Sequence, residues 1–356
     1  MKLNYRIEQL AKIGLNKDGT IYRKAGSIAY YDAIKKVSDW MVEDGLEVCI
    51  DEYENLIGTL PGKDPDAKPI VIGSHIDTVP TGGKYDGTLG VLGGLETAKM
   101  LSGKLNHPIQ VVAFFDEEDS MSGSIGFSNS REEGDIFAFL ELHVEQGPVL
   151  DKHGADIGVV EGIVGQRRCS FSIKGQANHA GTTPMNMRDD ALVKASDLIK
   201  YAYVEAGKYD GLVATVGKLD VKPNLFSIIP GQVDLTLQIR DLDTNNLIKF
   251  ASDVSTRFGL DYNVEYVSAP ALCDKGVMNT IEESVGDLKC ITMPSRASHD
   301  AQNFTKWPMG MIFVPSKNGI SHSHEEFTSP DQCINGVVVL AKTVHRIDCK
   351  SSSVML

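Results

Sequence analysis

Long apolar runs, paired cysteines and clustered cations are all missing from this 356-residue chain. No apolar stretch reaches the length a bilayer-spanning helix needs, so a membrane protein is not expected. The six cysteines (Cys49, Cys169, Cys273, Cys290, Cys333 and Cys349) are widely spaced and form no C-x-x-C pair, which excludes a zinc ribbon or a thioredoxin-like motif. A chain this large has no need of disulfides, and reduced thiols are the simplest reading. With a net charge of -13, the protein lacks the clustered cations of a nucleic-acid binder or a protein of anionic membranes. An anionic small molecule is not excluded, because one local arginine can outweigh a distant field screened by salt. Neither G-x-x-x-x-G-K-[ST] nor a correctly spaced G-x-G-x-x-G occurs, so the glycines of GTLGVLGG are not a nucleotide loop. The opening MKLNYRIEQLAKIG has an amphipathic helical pattern without the apolar core of a signal peptide, and a cytoplasmic location is expected.

What is present is an ordinary globular composition, 42% apolar and 23% charged, in a chain long enough for two domains. Helical spacing over Ile28 to Leu46 is followed by two strands, EVCIDEY and NLIGTLPG. KPIVIGSHID, the small-residue helix LGVLGGLETAKMLSG and IQVVAFFDEED then give a strand–helix–strand order. This predicts an α/β domain with a mostly parallel mixed sheet flanked by helices and ligands at the carboxyl ends of its strands. From Arg168 the pattern changes to alternation, in RCSFSIK and again through Val233, Leu235, Leu237 and Ile239, around the helical DDALVKASDLIKYAYVEAG. An inserted smaller α+β domain is therefore expected over 168–278, with 1–167 and 279–356 forming the larger, metal-binding domain. The tail CKSSSVML is expected to fray.

Scattered polar motifs carry metal-binding side chains: GSHID, GGKYDG, DEED, ELHVEQG and GISHSHEE. They hold His75, Asp86, Glu117, Glu118, His143 and His322, a mixed imidazole and carboxylate set of the kind used by two-metal hydrolases. Each has a plainer reading. His75 can be a core histidine at a strand end, with Asp77, two residues on, accepting a hydrogen bond from its second ring nitrogen. Asp86 can be an ordinary Asp-Gly turn, and DEED a solvated acidic loop. Adjacent residues after a strand point in opposite directions, which assigns Glu117 and Glu118 different tasks, one holding metal and one handling protons. His322 and His324 are both offered by HSH, with His299 upstream.

The motifs GSHIDTVPTGGKYDG, DEE, ELHVEQGPVL, IGVVEGIVGQRR, NHAGTTPM, HDAQ and FVPSKNGISHSHEEFTSPD, with KPNLFSIIPG and QIRD more loosely, cover residues from about 49 to 345. In these the chain resembles the hydantoinase/carbamoylase branch of the aminoacylase-type metallopeptidases: N-carbamoyl-L-amino acid hydrolases, β-ureidopropionases and allantoate amidohydrolases. The resemblance implies two divalent ions (Zn, Mn, Co or Ni) bridged by Asp86, with Glu118 and His322 completing one site and His75 and His143 the other. It implies Glu117 as the base that activates water and then protonates the leaving nitrogen, with Asp77 beside it in the catalytic set. It implies a homodimer in which His179 of the smaller domain stabilises the oxyanion of the partner subunit's site. Arg240 and Asn224 resemble the pair that grips a substrate carboxylate, although Arg240 read alone can be a solvated strand charge. His299 and Gln146 join them as substrate-binding residues. His143, where plain peptidases of the superfamily have an acid, favours an enzyme cleaving the linear ureido group of an N-carbamoyl-L-amino acid. Allantoate and N-acyl amino acids or dipeptides are the alternative substrates. A non-catalytic metal-binding protein on the same scaffold is disfavoured by the presence of both Glu117 and Asp86. The chain departs from relatives after DEE, where DSMSGSIGF replaces the usual EGSRF and the connection to ELHVEQG is shorter. It also has His324 where proline is common.

Overall fold

The computed structural model describes residues 1–353. The chain divides into two compact units, residues 1–163 with 272–356, and 164–271. These divisions lie a few residues ahead of those the sequence patterns suggest. The final helix, Pro330–Ser353, takes in the first residues of the expected frayed tail, and the rest of that tail lies outside the described residues.

In the first unit a mixed sheet runs in the order Glu47–Ile50, Leu56–Leu60, Ile109–Phe114, Ile70–His75, Ala138–Val144, Met309–Val314, Ile157–Ile163. Ile70–His75 is parallel to both its neighbours, and Ala138–Val144 is parallel to Met309–Val314. These central strands are apolar on both faces and lie buried along their length, as layers above and below a parallel sheet require. Helix Ile28–Glu43 starts where Ser27 accepts a hydrogen bond from the Tyr30 backbone, and it buries Tyr30, Ala33, Ile34, Val37, Trp40 and Met41 along one stripe.

Helix Thr88–Leu101 is buried nearly all round, and its glycines let it lie close against the sheet. A Cβ on Gly90 would come within 2.5 Å of the Leu142 carbonyl oxygen. Another group of side chains fills the space around the 300–304 turn: Phe304 stacks on Phe139 at 3.8 Å, and Phe114 and Phe127 lie 5.5 and 5.9 Å from it.

The second unit is α+β. Its antiparallel sheet has the order Tyr262–Ser268, Gly165–Lys174, Gln232–Asp241, Val213–Lys222. Along Gln232–Asp241 buried and half-buried positions alternate, so Val233, Leu235, Leu237 and Ile239 all face one side, as their period of two predicts. Helices Ala191–Ala206 and Thr244–Phe258, each capped by an aspartate (Asp190 and Asp243), bury Leu198, Phe250 and Val254 in the same core. Each such side chain contributes about 1.5–3 kcal/mol gross through burial. Among the described residues no helix is long and apolar enough to cross a membrane.

Candidate active site

The polar motifs of the first unit converge at the carboxyl ends of its parallel strands, where open sheets place their ligands. His75 is the last residue of Ile70–His75, and His143 stands one residue before the end of the adjoining strand Ala138–Val144. Beyond Phe114 the chain leaves the sheet through Asp116, whose φ of 60° starts the turn carrying Glu117 and Glu118. Asp86 and Gly87 sit at the N-terminus of Thr88–Leu101, and His322, with φ 54°, lies in the loop after Met309–Val314.

The Asp86 carboxylate is the centre of the cluster. Its Oδ1 lies 3.5 Å from His75 Nε2 and 3.3 Å from His143 Nε2, while Oδ2 lies 3.3 Å from His322 Nε2. Glu117 Oε2 is 3.7 Å from His75 Nε2, and Glu118 Oε2 is 3.9 Å from His322 Nε2. Backbone carbonyls set the ring tautomers: His75 Nδ1 is 3.1 Å from the Asp77 oxygen and His143 Nδ1 is 2.9 Å from that of Val144. Each Nδ1–H is thereby spoken for, and each Nε2 faces Asp86, that of His143 lying also 3.1 Å from the Gly87 backbone N–H. Access is uneven, since the His75 and His143 side chains are 3% and 1% exposed and that of His322 is 45% exposed.

Electrostatics follow from this crowding. Burial, then repulsion from Asp300, Glu118 and Asp77, holds the Glu117 carboxyl well above its usual range against the pull of His75. Burial likewise raises Glu118. For Asp86 burial is outweighed by hydrogen bonds from His143, His322 and His75, and its pKa is well below normal. Burial disfavours a proton on His75, yet Glu117, Asp77 and Asp86 raise its pKa well above the ordinary value.

Two expectations need correction. The Asp77 carboxylate does not pair with the His75 ring at hydrogen-bond distance: Oδ1 is 3.6 Å from Nδ1, and the carboxylate accepts instead from the backbone N–H groups of Glu117 (3.3 Å) and Glu118 (3.1 Å). The strand ends at His75, so the same-face rule for residues two apart no longer holds at Asp77. Glu117 and Glu118 do not diverge either. They stand in a turn, not on a strand, and both bring an oxygen into one group with His75, all within 4.8 Å.

Gln146 donates from Nε2 to Asp86 Oδ2 at 2.8 Å and lies 3.3 Å from His322 Nε2. His299 is buried, its ring 4.5 Å from that of His143 and its Nε2 2.9 Å from Ser295 Oγ; burial, then His143, pushes its pKa well below normal. His324 turns to another neighbour, with its Cβ 3.6 Å from where a Gly19 side chain would begin. The motif reading missed Ser321, whose Oγ reaches Asp86 Oδ2 at 3.2 Å, and Glu326, which accepts from the backbone of Tyr85 and Asp86. Only the nearness of these residues to His322 in GISHSHEE hinted at them. Beside Glu118 is a cavity of about 220 Å³ lined by Tyr22, Lys24, Val79, Asp116 and Asp119 among others.

His179, Asn224 and Arg240 belong to the second unit. His179 is exposed in the two-residue strand Asn178–His179, and its Nδ1 accepts from Gly181 N and Thr182 N at 3.0 and 3.1 Å. That leaves its proton on Nε2. Asn224 is exposed with φ 57°. Arg240 is half-buried on Gln232–Asp241, and burial, then Arg168, lowers its pKa.

The cluster fits divalent cations. Imidazole nitrogens and carboxylate oxygens lie within 4.8 Å of one another in the groups His75/Asp86/His143, His75/Glu117/Glu118 and Asp86/Glu118/His322. A fourth group, Glu141/His143/His299, is engaged otherwise, as Glu141 accepts from Ser74 Oγ (2.8 Å) and the Ala301 backbone (2.9 Å). Acids massed in a buried pocket, opposed by histidines, are relieved by a cation placed among them.

Comparison with known proteins agrees. The model of Peptidase family M20/M25/M40 matches residues 71–346. An N-carbamoyl-L-amino-acid amidohydrolase of Pseudomonas sp. is 35% identical, the match covering 96% of this chain and 97% of that protein. The allantoate amidohydrolase of Bacillus subtilis is 32% identical, with 96% of each covered. A hydantoinase/carbamoylase family amidase from Burkholderia multivorans superposes with a TM-score of 0.90 at 30% identity, covering 98% of this chain and 97% of that one. Members of this family bind divalent metal ions and cleave linear amide C–N bonds. With its buried histidine and carboxylate cluster, the chain belongs to Peptidase family M20/M25/M40, in the hydantoinase/carbamoylase branch, as a metal-dependent amidohydrolase.

Proposed function

We propose that the protein hydrolyses the linear ureido group of an N-carbamoyl-L-amino acid, giving the amino acid, carbon dioxide and ammonia. The observation that carries the metal-dependent hydrolysis is the Asp86 carboxylate, with one oxygen facing His75 and His143 and the other facing His322, and the 35% identity to an N-carbamoyl-L-amino-acid amidohydrolase favours the N-carbamoyl substrate. That is the arrangement a carboxylate shared between two cations requires. His75, Asp86 and His143 would hold one ion, and Asp86, Glu118 and His322 the other, as zinc, manganese, cobalt or nickel. Such ions, when bound, lower the pKa of water and stabilise negative charge developing on the carbonyl oxygen.

The protein's own groups do the rest. Glu117, with its raised pKa and position beside His75, takes the proton of the attacking water and returns it to the leaving nitrogen. Asp77 fixes the turn of Glu117 and Glu118 through their backbone N–H groups. His179, protonated on Nε2, donates to the carbonyl oxygen from the partner subunit of a homodimer. Arg240 and Asn224 grip the substrate carboxylate. Gln146 at the edge of the cluster and His299, whose ring lies 4.5 Å from that of His143, complete the substrate-binding set.

Allantoate is the second reading, favoured by the 32% identity to an allantoate amidohydrolase. Metal-free protein reconstituted with Mn²⁺, Co²⁺, Ni²⁺ or Zn²⁺ and offered N-carbamoyl-, N-formyl- and N-acetyl-L-amino acids, dipeptides and allantoate separates them. N-carbamoyl substrates should give the highest kcat/KM. Turnover of allantoate alone selects the second reading, and turnover of N-acetyl substrates or dipeptides alone overturns both.

A further inference from the structure

We infer that Glu326 is a positioning residue that fixes the Asp86 carboxylate by clasping the turn before it to the loop that carries His322. Glu326 is 4% exposed, and its Oε1 accepts from Tyr85 N at 2.7 Å and Asp86 N at 3.2 Å. These two donors stand one and two residues ahead of Gly87, the N-cap of helix Thr88–Leu101, and so lie outside its hydrogen-bond ladder and need an acceptor from elsewhere. Glu326 supplies the missing acceptor from a segment some 240 residues away. Its second oxygen, Oε2, lies 3.4 Å from Ser321 Oγ, which in turn reaches Asp86 Oδ2 at 3.2 Å. The backbone and the side chain of Asp86 are thus both tied to one short loop. Thr81 closes the clasp from the other side, donating from Oγ1 to the His322 carbonyl at 2.9 Å.

The fit is tight. Gly83 lies directly against the Glu326 side chain, where an added Cβ would come within 2.5 Å of Cδ and Oε1. A glycine there is what allows the carboxylate to reach the Asp86 backbone. Glu326 is in none of the side-chain groups that could hold a cation, and its effect passes through Asp86 and the His322 loop. Groups that orient metal ligands commonly change metal affinity or activity 10–100-fold when removed.

The inference rests on the proposed reading that Asp86 and His322 hold cations, and its test separates the two. Full-length wild type, Glu326→Gln, Glu326→Ala and Ser321→Ala are stripped with chelator and titrated with Mn²⁺. Bound metal per chain, the Mn²⁺ concentration for half-maximal activity and the melting temperature of the metal-free form are recorded. Glu326→Ala should raise the half-activating concentration about 10–100-fold. Glu326→Gln, which keeps an acceptor oxygen for Tyr85 N–H, should recover most of that loss. Ser321→Ala, a milder change should Glu326→Ala fail to fold, should raise it severalfold. A Glu326→Ala protein that melts lower but binds Mn²⁺ as wild type does, or a Glu326→Gln protein no better than Glu326→Ala, overturns the inference alone. Where wild type takes Zn²⁺, Co²⁺ or Ni²⁺ in place of Mn²⁺ that ion is titrated instead, and wild type that binds none of the four overturns the two-cation reading and this inference with it.

Discussion

Gly87→Ala tests the site's geometry without altering a single donor atom. Gly87 has φ 61° and ψ -46°, a combination L-residues avoid, and holding alanine there costs roughly 1–3 kcal/mol. The added methyl would also meet the His75 ring, whose Cδ2 and Nε2 both lie 2.5 Å from its ideal position. Ordinary van der Waals contact begins near 3.4 Å, so the ring must retreat by about 1 Å. It has little room to do so, because its Nδ1 is held by the Asp77 carbonyl and its face lies over His143 at 5.9 Å. A displacement of that size costs about 100-fold in catalysis. The control is Gly103→Ala, at φ 71° with nothing within 4 Å of the added Cβ, which carries backbone strain alone. Expected, then, is a loss of about 2 kcal/mol and roughly 3 °C in Tm for Gly87→Ala, with kcat/KM and metal affinity both reduced. Gly103→Ala should lose about 1 kcal/mol and stay fully active. Thermal melts, metal titration and steady-state kinetics on the two variants decide it. Wild-type kcat/KM in Gly87→Ala, or equal activity losses in both, would refute the steric argument.

Further tests address the subunits, the N-terminal ion pairs and the core. Mixing inactive His179→Ala and Glu117→Gln subunits should restore partial turnover in hybrid dimers, and mixtures as dead as their parents would count against His179 acting in trans. Buried Arg6 lies 2.6 Å from Asp44, which also pairs with Lys99 at 2.8 Å; burial would raise the Asp44 carboxyl, but these partners hold it below the usual range. Its contribution is therefore complete above the unfolded pKa of about 4 and lost as pH falls through the lower folded value. Asp44→Asn should cost roughly 3 kcal/mol at pH 7, with the gap to wild type narrowing below pH ~4, and a gap independent of pH would contradict the assignment. Phe304→Ala empties a site stacked on Phe139 and should cost about 3–5 kcal/mol in urea unfolding, against which a loss under ~1 kcal/mol would tell.

Periodicity carried most of the architecture. Alternation from Val233 to Ile239 gave the face of a sheet, and the apolar runs ending in His75 and His143 gave buried strands delivering side chains to one edge. The errors begin where strands stop. The rule that puts Asp77 on the face of His75 needs a strand that continues past His75, and the rule that splays Glu117 from Glu118 needs one that continues past Phe114; Asp116, with its positive φ, instead curls both acids toward one histidine. Nothing in a local pattern announces such a turn at an aspartate. Glu326 was illegible for another reason: its partners Tyr85 and Asp86 are some 240 residues distant, and only folding brings an acceptor to their N–H groups. Ser74 and Glu141, joined at 2.8 Å beneath the cluster, are hidden from sequence in the same way.

The uneven exposure of the histidines has a kinetic consequence. An ion held by His75 and His143 would lie behind side chains sealed from solvent, whereas one held by His322 would border open water. For the proposed pair, exchange with the medium would then be sequential: an ion held by His322 would leave and return readily, and one held by His75 and His143 would depart only when the strand ends themselves open. Chelator would remove metal in two phases, and the slower would follow the breathing of the sheet, not the chemistry of the chelator. The same protein would carry one ion as a lasting part of its framework and the other as a replaceable reagent, set by the metal its surroundings supply.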